Sequence, residues 1–563
     1  MSSNLRIEPP TWDQEMHAMA GGDSPSTEDQ GSPQRQQLAM TFSDTIDAIG
    51  MGPFQNRLVI MCGMGWIIDA MEILVVAFVL EDVAHTFGLN SVQKGLIGSA
   101  SFFGMLMGAG FWSVYADKCG RRTAFVQSLT CVFLGGVASA AAPSFATLCI
   151  FRMIVGFGVG GNLPVSTALV TEFLPTSHRA DVLCRISGAF WGFGVITASL
   201  LGLVLANVLG SGQEEAFWRW FLGLAALPSA MVAVAFRLLP ESPRFLHVMG
   251  RDHEATEILE SVARVNGKLD VLGLDFSGQR TEADRLPVES SPPSYNLSAS
   301  PGGAPVPLGV DGTDHGKTAG SDGGAPLSGP WGEGGRVLPV IEYAHGEEAE
   351  KAEAGDVREL FHTPVLRKVT LCLWVVWMFL NLSYYGLTFL LPRYYDDISG
   401  GEQNFVYVLS ALLGASFIPG AYAAMWLVQE RRLGRVGALM WSSYASAASI
   451  LVLATTTRVT ALFAVTSLLV LFFSAVPGTI MYLITPELYS TKYRAVGMGS
   501  CSVVTRLGGL AAPVLAEVLY DKGGPVAPLL LFGPTMILTG IFAGMIPIET
   551  AGRKLDDDSW DRR

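Results

Sequence analysis

Two short segments of the chain are near copies of each other: TEFLPTSHRA from Thr171 to Ala180 and TPELYSTKYRA from Thr485 to Ala495. Glu172 and Glu487 are 315 positions apart (487 − 172), as are Arg179 and Arg494 (494 − 179). A second pair, DKCGRR from Asp117 and RRLGR from Arg431, sets Gly120 and Gly434 at a separation of 314 (434 − 120). The chain is an internal duplication, so its fold is restricted to two like halves. Each copied segment lies between long apolar runs, which makes the repeated unit a set of membrane spans.

Composition agrees. Half the residues are apolar, 15% are charged and the mean hydropathy is +0.38, values that a soluble chain of 563 residues would not sustain. Apolar runs long enough to cross a bilayer number twelve, at about 57–80, 95–115, 123–142, 146–168, 184–207, 218–238, 367–391, 404–428, 435–456, 459–482, 495–519 and 526–547. The fold class expected is an all-α membrane protein of twelve transmembrane helices in two six-helix repeats. The halves span 57–246 and 367–547, with tails at 1–56 and 548–563 and a polar linker at 247–366. The middle of the linker is Gly, Ser, Pro and acid rich (Ser290–Pro293, Gly302–Pro307, Gly320–Gly335), which predicts disorder because it offers little apolar surface to bury. Asp252–Arg264 has helical spacing and predicts a short amphipathic helix near the membrane.

The net charge of −13 is concentrated in soluble parts such as Glu342–Glu359 and points to no nucleic-acid partner. Seven cysteines are scattered singly, with no CxxC and no histidine at ligand spacing, so neither a metal site nor a disulfide framework is expected. The first 41 residues are polar and hold no apolar signal core, leaving the first span as the targeting signal. Loops on one side of the expected spans hold Lys118, Arg121, Arg122, Arg179, Arg431, Arg432, Arg435, Lys492 and Arg494, against Lys94, Arg393, Arg458 and Lys522 on the other. The positive-inside bias therefore predicts that both termini and the linker face the cytoplasm.

The basic loop motifs carry acids as well. Asp117, Gly120, Arg121 and Arg122 join spans two and three, Glu430 and Arg435 stand in the equivalent loop of the second half, and Glu241 and Arg244 follow span six. Glu172 with Arg179 and Glu487 with Arg494 end spans four and ten. Basic side chains there can pair with acids and with helix C-terminal carbonyls, latching neighbouring helices. Positive-inside anchoring alone explains the Arg and Lys but not the repeated acid seven positions before each Arg.

These loop patterns, with PESPRFL from Pro240 to Leu246, resemble the major facilitator superfamily, in the branch of sugar porters and organic ion transporters. The stretch from Ile46 to Ile73 resembles more narrowly the synaptic-vesicle-protein-related group. Two positions depart from the family pattern: Ser113 stands where its loop motif has Gly, and Arg431 where the second copy has an acid, with Glu430 one residue earlier. The resemblance implies a major facilitator fold working by alternating access, with neither enzymatic activity nor cofactor, and a monomer by default. Its partners would be a small organic substrate, protons and the lipid bilayer, at the plasma membrane or an internal membrane.

Charges inside the bilayer cost roughly 2.5 to 3.5 kcal/mol each at a helix centre, so each calls for a reason. Asp69 and Glu72 lie in mid-span one, on a face that Trp66 shares, and Arg152 opens span four. In the symporters that the chain resembles, an acid in span one facing an Arg in span four serves proton coupling. An Asp69–Arg152 pair is accordingly expected, with Glu72 divided between proton relay and substrate contact; a static neutralising pair is the structural alternative. Arg506 in span eleven stands where the resembled organic ion carriers place an acid for cations and Arg for anions. A guanidinium holds a carboxylate bidentately, which favours an anionic or zwitterionic substrate, unless Arg506 pairs with a protein acid. Trp377, Asn381, Tyr384 and Tyr385 on span seven and Trp191 on span five complete a candidate pocket for flat organic ligands.

A sugar carrier is disfavoured, because the glutamine-rich cluster expected of resembled sugar porters is missing from span seven. ATP-driven transport is disfavoured by the absence of a GxxxxGK[ST] loop. An organic cation carrier and a non-transporting vesicle-membrane receptor or scaffold stay open as alternatives.

Overall fold

The computed structural model describes residues 42–210, 212–272, 357–430, 432–457, 459–489 and 493–550. A short helix α1 (Phe42–Ile49) precedes α2 (Pro53–Phe87), α3 (Ser91–Cys119), α4 (Arg121–Ala140) and α5 (Phe145–Phe173). A continuous run follows through α6 (Arg179–Arg185), a π-helical turn (Ile186–Phe190) and α7 (Trp191–Leu209), and then α8 (Glu214–Phe236), α9 (Pro243–Val248) and α10 (Asp252–Val265). The second half holds α11 (Pro364–Ser399), α12 (Gln403–Leu427), α13 (Gly434–Thr456), α14 (Thr460–Leu488), α15 (Arg494–Gly523) and α16 (Val526–Gly544). Twelve segments among the described residues are long and apolar enough to cross a membrane, with the α6–α7 run counted once. The all-α, twelve-span architecture expected from the sequence is present.

Helices outrun the apolar windows because backbone hydrogen bonding continues until a chemical stop. The first run of about 57–80 becomes Pro53–Phe87: Pro53 starts it, having no N–H to leave unpaired, and Gly88 ends it at φ 64, a conformation that costs glycine little. Asn90 and Ser144 begin α3 and α5 with reciprocal capping boxes. The linker's first segment forms α10 and buries Ala255, Leu259, Val262 and Ala263. Residues 273–356, where disorder was expected, lie outside the described residues, as do both outer tails, Arg431 and the side chain of Arg494.

Lipid supplies no hydrophobic drive between spans, so close backbone approach has to hold them. On α3, Gly104 and Gly108 face Gly156 and Gly160 of α5 so closely that a Cβ on Gly104 would lie 2.0 Å from the Met153 carbonyl oxygen, and one on Gly156 2.0 Å from that of Ser101. The two halves meet through α3 against α15 and α7 against α12. Ser99 donates to the Leu510 carbonyl at 2.6 Å across the first interface, and Gly192 packs on Gly414 and Ile418 across the second.

Candidate functional site

At the loop-motif end of the bundle, each half carries the same knot. In the first, Arg121 pairs with Glu172 at 3.2 Å and with Asp117 at 2.9 Å, and donates to the Ala116 carbonyl at 3.0 Å. Glu241 accepts the backbone N–H of Arg122 at 3.0 Å, capping α4, while the Arg122 side chain donates to the Leu239 carbonyl at 2.9 Å. In the second, Arg435 pairs with Glu487, and Glu549 accepts the backbone N–H groups of Arg435 at 2.8 Å and Val436 at 3.2 Å. Gly120 (φ 101) and Gly434 (φ 66) allow the tight entries, and a Cβ on either would strike the capping glutamate, at 2.4 Å and 2.5 Å.

The expected partnerships within the latch therefore shift. Glu172 and Glu487 reach the arginines of the neighbouring loop, Arg121 and Arg435, and the helices that carry the two acids end at Leu174 and Tyr489. Arg179 donates to the Leu174 carbonyl at 3.0 Å. Glu430 stays local, accepting from the Arg432 N–H at 3.4 Å, and Arg244 is exposed, outside the network. Glu549 was not singled out from the sequence, although PIET in the second half occupies the place of PES in the first.

Mid-bundle, the charges divide differently from the expected Asp69–Arg152 pair. Arg152 donates through Nη1 to Glu72 Oε2 at 3.0 Å and through Nη2 to the Glu72 carbonyl at 3.0 Å, and both side chains are buried. The i, i+3 spacing puts Asp69 almost one turn nearer the latch end than Glu72, while Arg152 sits near the start of α5 at the opposite end, so Glu72 lies within its reach. Asp69 instead accepts from Asn162 Nδ2 at 2.7 Å, and Asn162 Oδ1 accepts from Ser128 at 2.7 Å. Asp69 Oδ2 has no hydrogen-bond partner among the described residues. Asn162 was legible as a polar residue inside GVGGNLP of span four but was passed over; Ser128 has no distinguishing sequence signal.

Arg506 is 2% exposed and has no carboxylate partner among the described residues. Its Nη1 reaches only the sulfur of Met105, at 3.5 Å, and its Nε has no partner among the described residues. It faces the phenol of Tyr385 and lies within electrostatic range of Asp69 from across the interface between the halves.

Aromatic rings close around these groups. Trp191 Nε1 donates to the Tyr384 hydroxyl at 2.5 Å, joining α7 to α11. Trp66 lies edge-on to Trp191 at 6.3 Å and to Tyr482 at 5.5 Å, and Tyr482 meets Trp377 at 4.9 Å, so the ring chain crosses between the halves. Trp377 also donates to Thr485 at 3.0 Å, and Asn381 donates to the Trp377 carbonyl at 2.8 Å. Tyr482, another residue the sequence reading missed, is a single aromatic in an apolar run that gave no reason to choose it.

Family comparison agrees with the geometry: the profile of the Major Facilitator Superfamily matches residues 59–456. The chain belongs to this superfamily. It is 30% identical to organic cation/carnitine transporter 7 of Arabidopsis thaliana, over 92% of this chain and 96% of that one. It is 29% identical to the putative transporter svop-1 of Caenorhabditis elegans (94% and 89% covered) and 28% identical to the niacin transporter NiaP of Acinetobacter baylyi (92% and 99%). The fold superposes on the xylose transporter XylE of E. coli in its partially occluded inward-open conformation with a TM-score of 0.62, at 14% identity over 89% of this chain and 99% of that one. This facilitator is a multi-pass membrane transporter of small solutes, and not an enzyme.

Proposed function

We propose that this facilitator moves a small organic anion or zwitterion, coupled to protons, by alternating access, with the latch end, the linker and both termini in the cytoplasm. The observation that carries the reading is Arg506: a buried guanidinium, free of any carboxylate partner among the described residues, set in a ring of aromatic side chains at the interface of the halves. A buried charge without an ion-pair partner is costly, and a substrate carboxylate seated bidentately would relieve that cost. The names of two relatives bear on this: niacin is an aromatic carboxylate, and the organic cation/carnitine transporter is named for cations and for carnitine, a zwitterion bearing a carboxylate.

Asp69 supplies the coupling in this reading. It sees the charge of Arg506, holds one oxygen on Asn162 and keeps the other unpartnered. A substrate carboxylate on Arg506 adds negative charge beside Asp69, and a proton on Asp69 offsets it, so substrate and proton travel together. Glu72 and Arg152 neutralise each other and hold α2 to α5. The proton gradient would supply about 1.4 kcal/mol per pH unit.

The test is purified protein in liposomes, given aromatic and aliphatic carboxylates, amines and sugars with and without an inward pH gradient. Carboxylate accumulation that rises with the gradient, and that Asp69→Asn converts to exchange without accumulation, is the expected result. Uphill uptake that survives Asp69→Asn would remove Asp69 from coupling, and no uptake of any class would favour a receptor or scaffold.

A further inference from the structure

The end of the bundle opposite the latches holds a pocket that the reading above leaves unused. It lies where α2 of the first half meets α11 and α12 of the second, and Phe78, Glu81, Asp82, Phe389, Asp396 and Tyr407 line it. Its volume is about 60 Å³.

Charge at this mouth is unbalanced. Arg393 is engaged by Glu517, by Asp521 at 2.7 Å and by Glu81 at 3.4 Å, and Lys94 is held on Glu81 at 2.6 Å. These two cations are thus consumed by three carboxylates. Asp82 and Asp396 remain, one from each half; neither side chain has an ion-pair or hydrogen-bond partner among the described residues. Asp82 is repelled by Glu214, Asp396 and Glu81, and Asp396 by Asp397 and Glu81, with His85 the one attracting group beside it among the described residues.

A second observation points into the same space. Tyr407 is 4% exposed, and its ring is fixed by Phe78 at 5.1 Å and Phe217 at 6.1 Å. Its hydroxyl has no hydrogen-bond partner among the described residues, and it faces Asp82 and Asp396. The phenol oxygen can accept a hydrogen bond from an N–H of a bound ammonium group, which would give it the partner it lacks. Aromatic faces beside two carboxylates form the recognition chemistry of an ammonium group: cation–π attraction from the rings and Coulomb attraction from the acids. A bare metal ion would be served less well by walls of Phe78 and Phe389, which offer no oxygen.

We propose that this mouth pocket binds a small organic ammonium group between Asp82 and Asp396, with Phe78 and Tyr407 as its aromatic wall. Because the two acids belong to opposite halves, the bound cation bridges them and favours the form in which this end is closed. The chemistry is the same whether the ammonium is a free cation or the head group of a transported zwitterion.

The experiment follows thermal unfolding of the purified protein in detergent through its tryptophan fluorescence. Tetramethylammonium chloride is titrated against sodium chloride at matched ionic strength, with glycine betaine as the zwitterionic arm. The expected result is a saturable rise in melting temperature with tetramethylammonium beyond that given by sodium chloride. Its apparent affinity should fall at least tenfold in Asp82→Asn and in Asp396→Asn. Tyr407→Leu, which removes the aromatic wall, should weaken it several-fold and gives a readout if an Asn variant does not fold. Competition between glycine betaine and tetramethylammonium would identify the pocket as a substrate head-group site, whereas independent saturation by tetramethylammonium alone would identify a separate cation site. Equal responses to the two salts, or a saturable response that both Asn variants and Tyr407→Leu leave unchanged, would overturn the proposal. The Arg506 tests do not involve these residues, so the anion reading and the cation pocket stand or fall separately.

Discussion

Replacing Glu72 with Gln leaves Arg152 buried without its counter-charge while changing the volume hardly at all. The pair is 3.0 Å apart with side-chain exposures of 1% and 2%, so direct attraction at an effective dielectric of 20 is about 5.5 kcal/mol. Desolvation of both ions offsets most of that in the intact pair; removing one partner exposes the imbalance, at a typical cost of about 3–5 kcal/mol. The Arg152 bond to the Glu72 carbonyl at 3.0 Å survives the change, and a Gln oxygen still accepts, which places Glu72→Gln near the lower end. Arg152→Met combined with Glu72→Gln removes both charges and should recover at least 2 kcal/mol of the summed single losses, since a buried pair replaced whole is often near neutral. Unfolding in mixed micelles by sodium dodecyl sulfate, run as a double-mutant cycle, measures this, and proteoliposomes carrying the double variant should still accumulate substrate under a pH gradient. Single losses below 1 kcal/mol that simply add would refute the structural role given to the pair. Loss of gradient-driven accumulation in a well-folded double variant would move proton coupling from Asp69 to Glu72.

Arg506→Lys keeps the charge but loses the fork, and carboxylate affinity should fall about tenfold in a binding or uptake assay, with unchanged affinity assigning Arg506 to structure. Gly156→Ala places a Cβ 2.0 Å from the Ser101 carbonyl oxygen, and should cost about 1–3 kcal/mol in melting experiments, whereas Gly110→Ala, with nothing within 4 Å, should be nearly silent. Glu549→Gln weakens the capping carboxylate at α13 and should cost about 0.5–2 kcal/mol, and more of the latch is lost in Gly434→Ala, which also meets the strain of a positive φ; equal stability of both variants and wild type would dismiss the second latch.

What could be read in the chain beforehand follows from which forces are local. Span number came through because hydrocarbon demands about twenty apolar residues at a time, and the duplication was written in loops whose Gly and Arg have fixed jobs. Partner choice among buried charges did not. Asp69 and Glu72 share a face at i, i+3 spacing, yet which of them meets Arg152 depends on the relative height of α2 and α5, a tertiary quantity. The roles of Asn162 and Tyr482 could not be read for a related reason: a lone polar or aromatic residue in an apolar run acquires meaning only from what faces it. The latch acids were visible, but the arginines that meet them across the loop, Arg121 for Glu172 and Arg435 for Glu487, are brought there by packing and not by spacing along the chain.

The duplication also explains why the two halves look alike at the latch end of the bundle while its centre is unlike. Asp69 stands nineteen residues before Gly88 (88 − 69), which ends α2, and Asn381 nineteen before Gly400 (400 − 381), which ends α11. Arg506 stands twelve after Arg494 (506 − 494), and Trp191 twelve after Arg179 (191 − 179). The two halves thus offer matching positions, and the chain fills one diagonal with an acid and a guanidinium, the other with an amide and an indole. Latches need the same chemistry twice, because each half must hold its own helices. The centre does not: a second buried acid and a second buried guanidinium would add two more desolvated charges to a ring already holding Glu72 and Arg152, with no further ligand to offset them. Asn381 and Trp191 keep the shape and hydrogen-bonding reach of those positions without that cost. A single ionic diagonal in an otherwise two-fold frame is consistent with the proposed seating of one substrate carboxylate on Arg506.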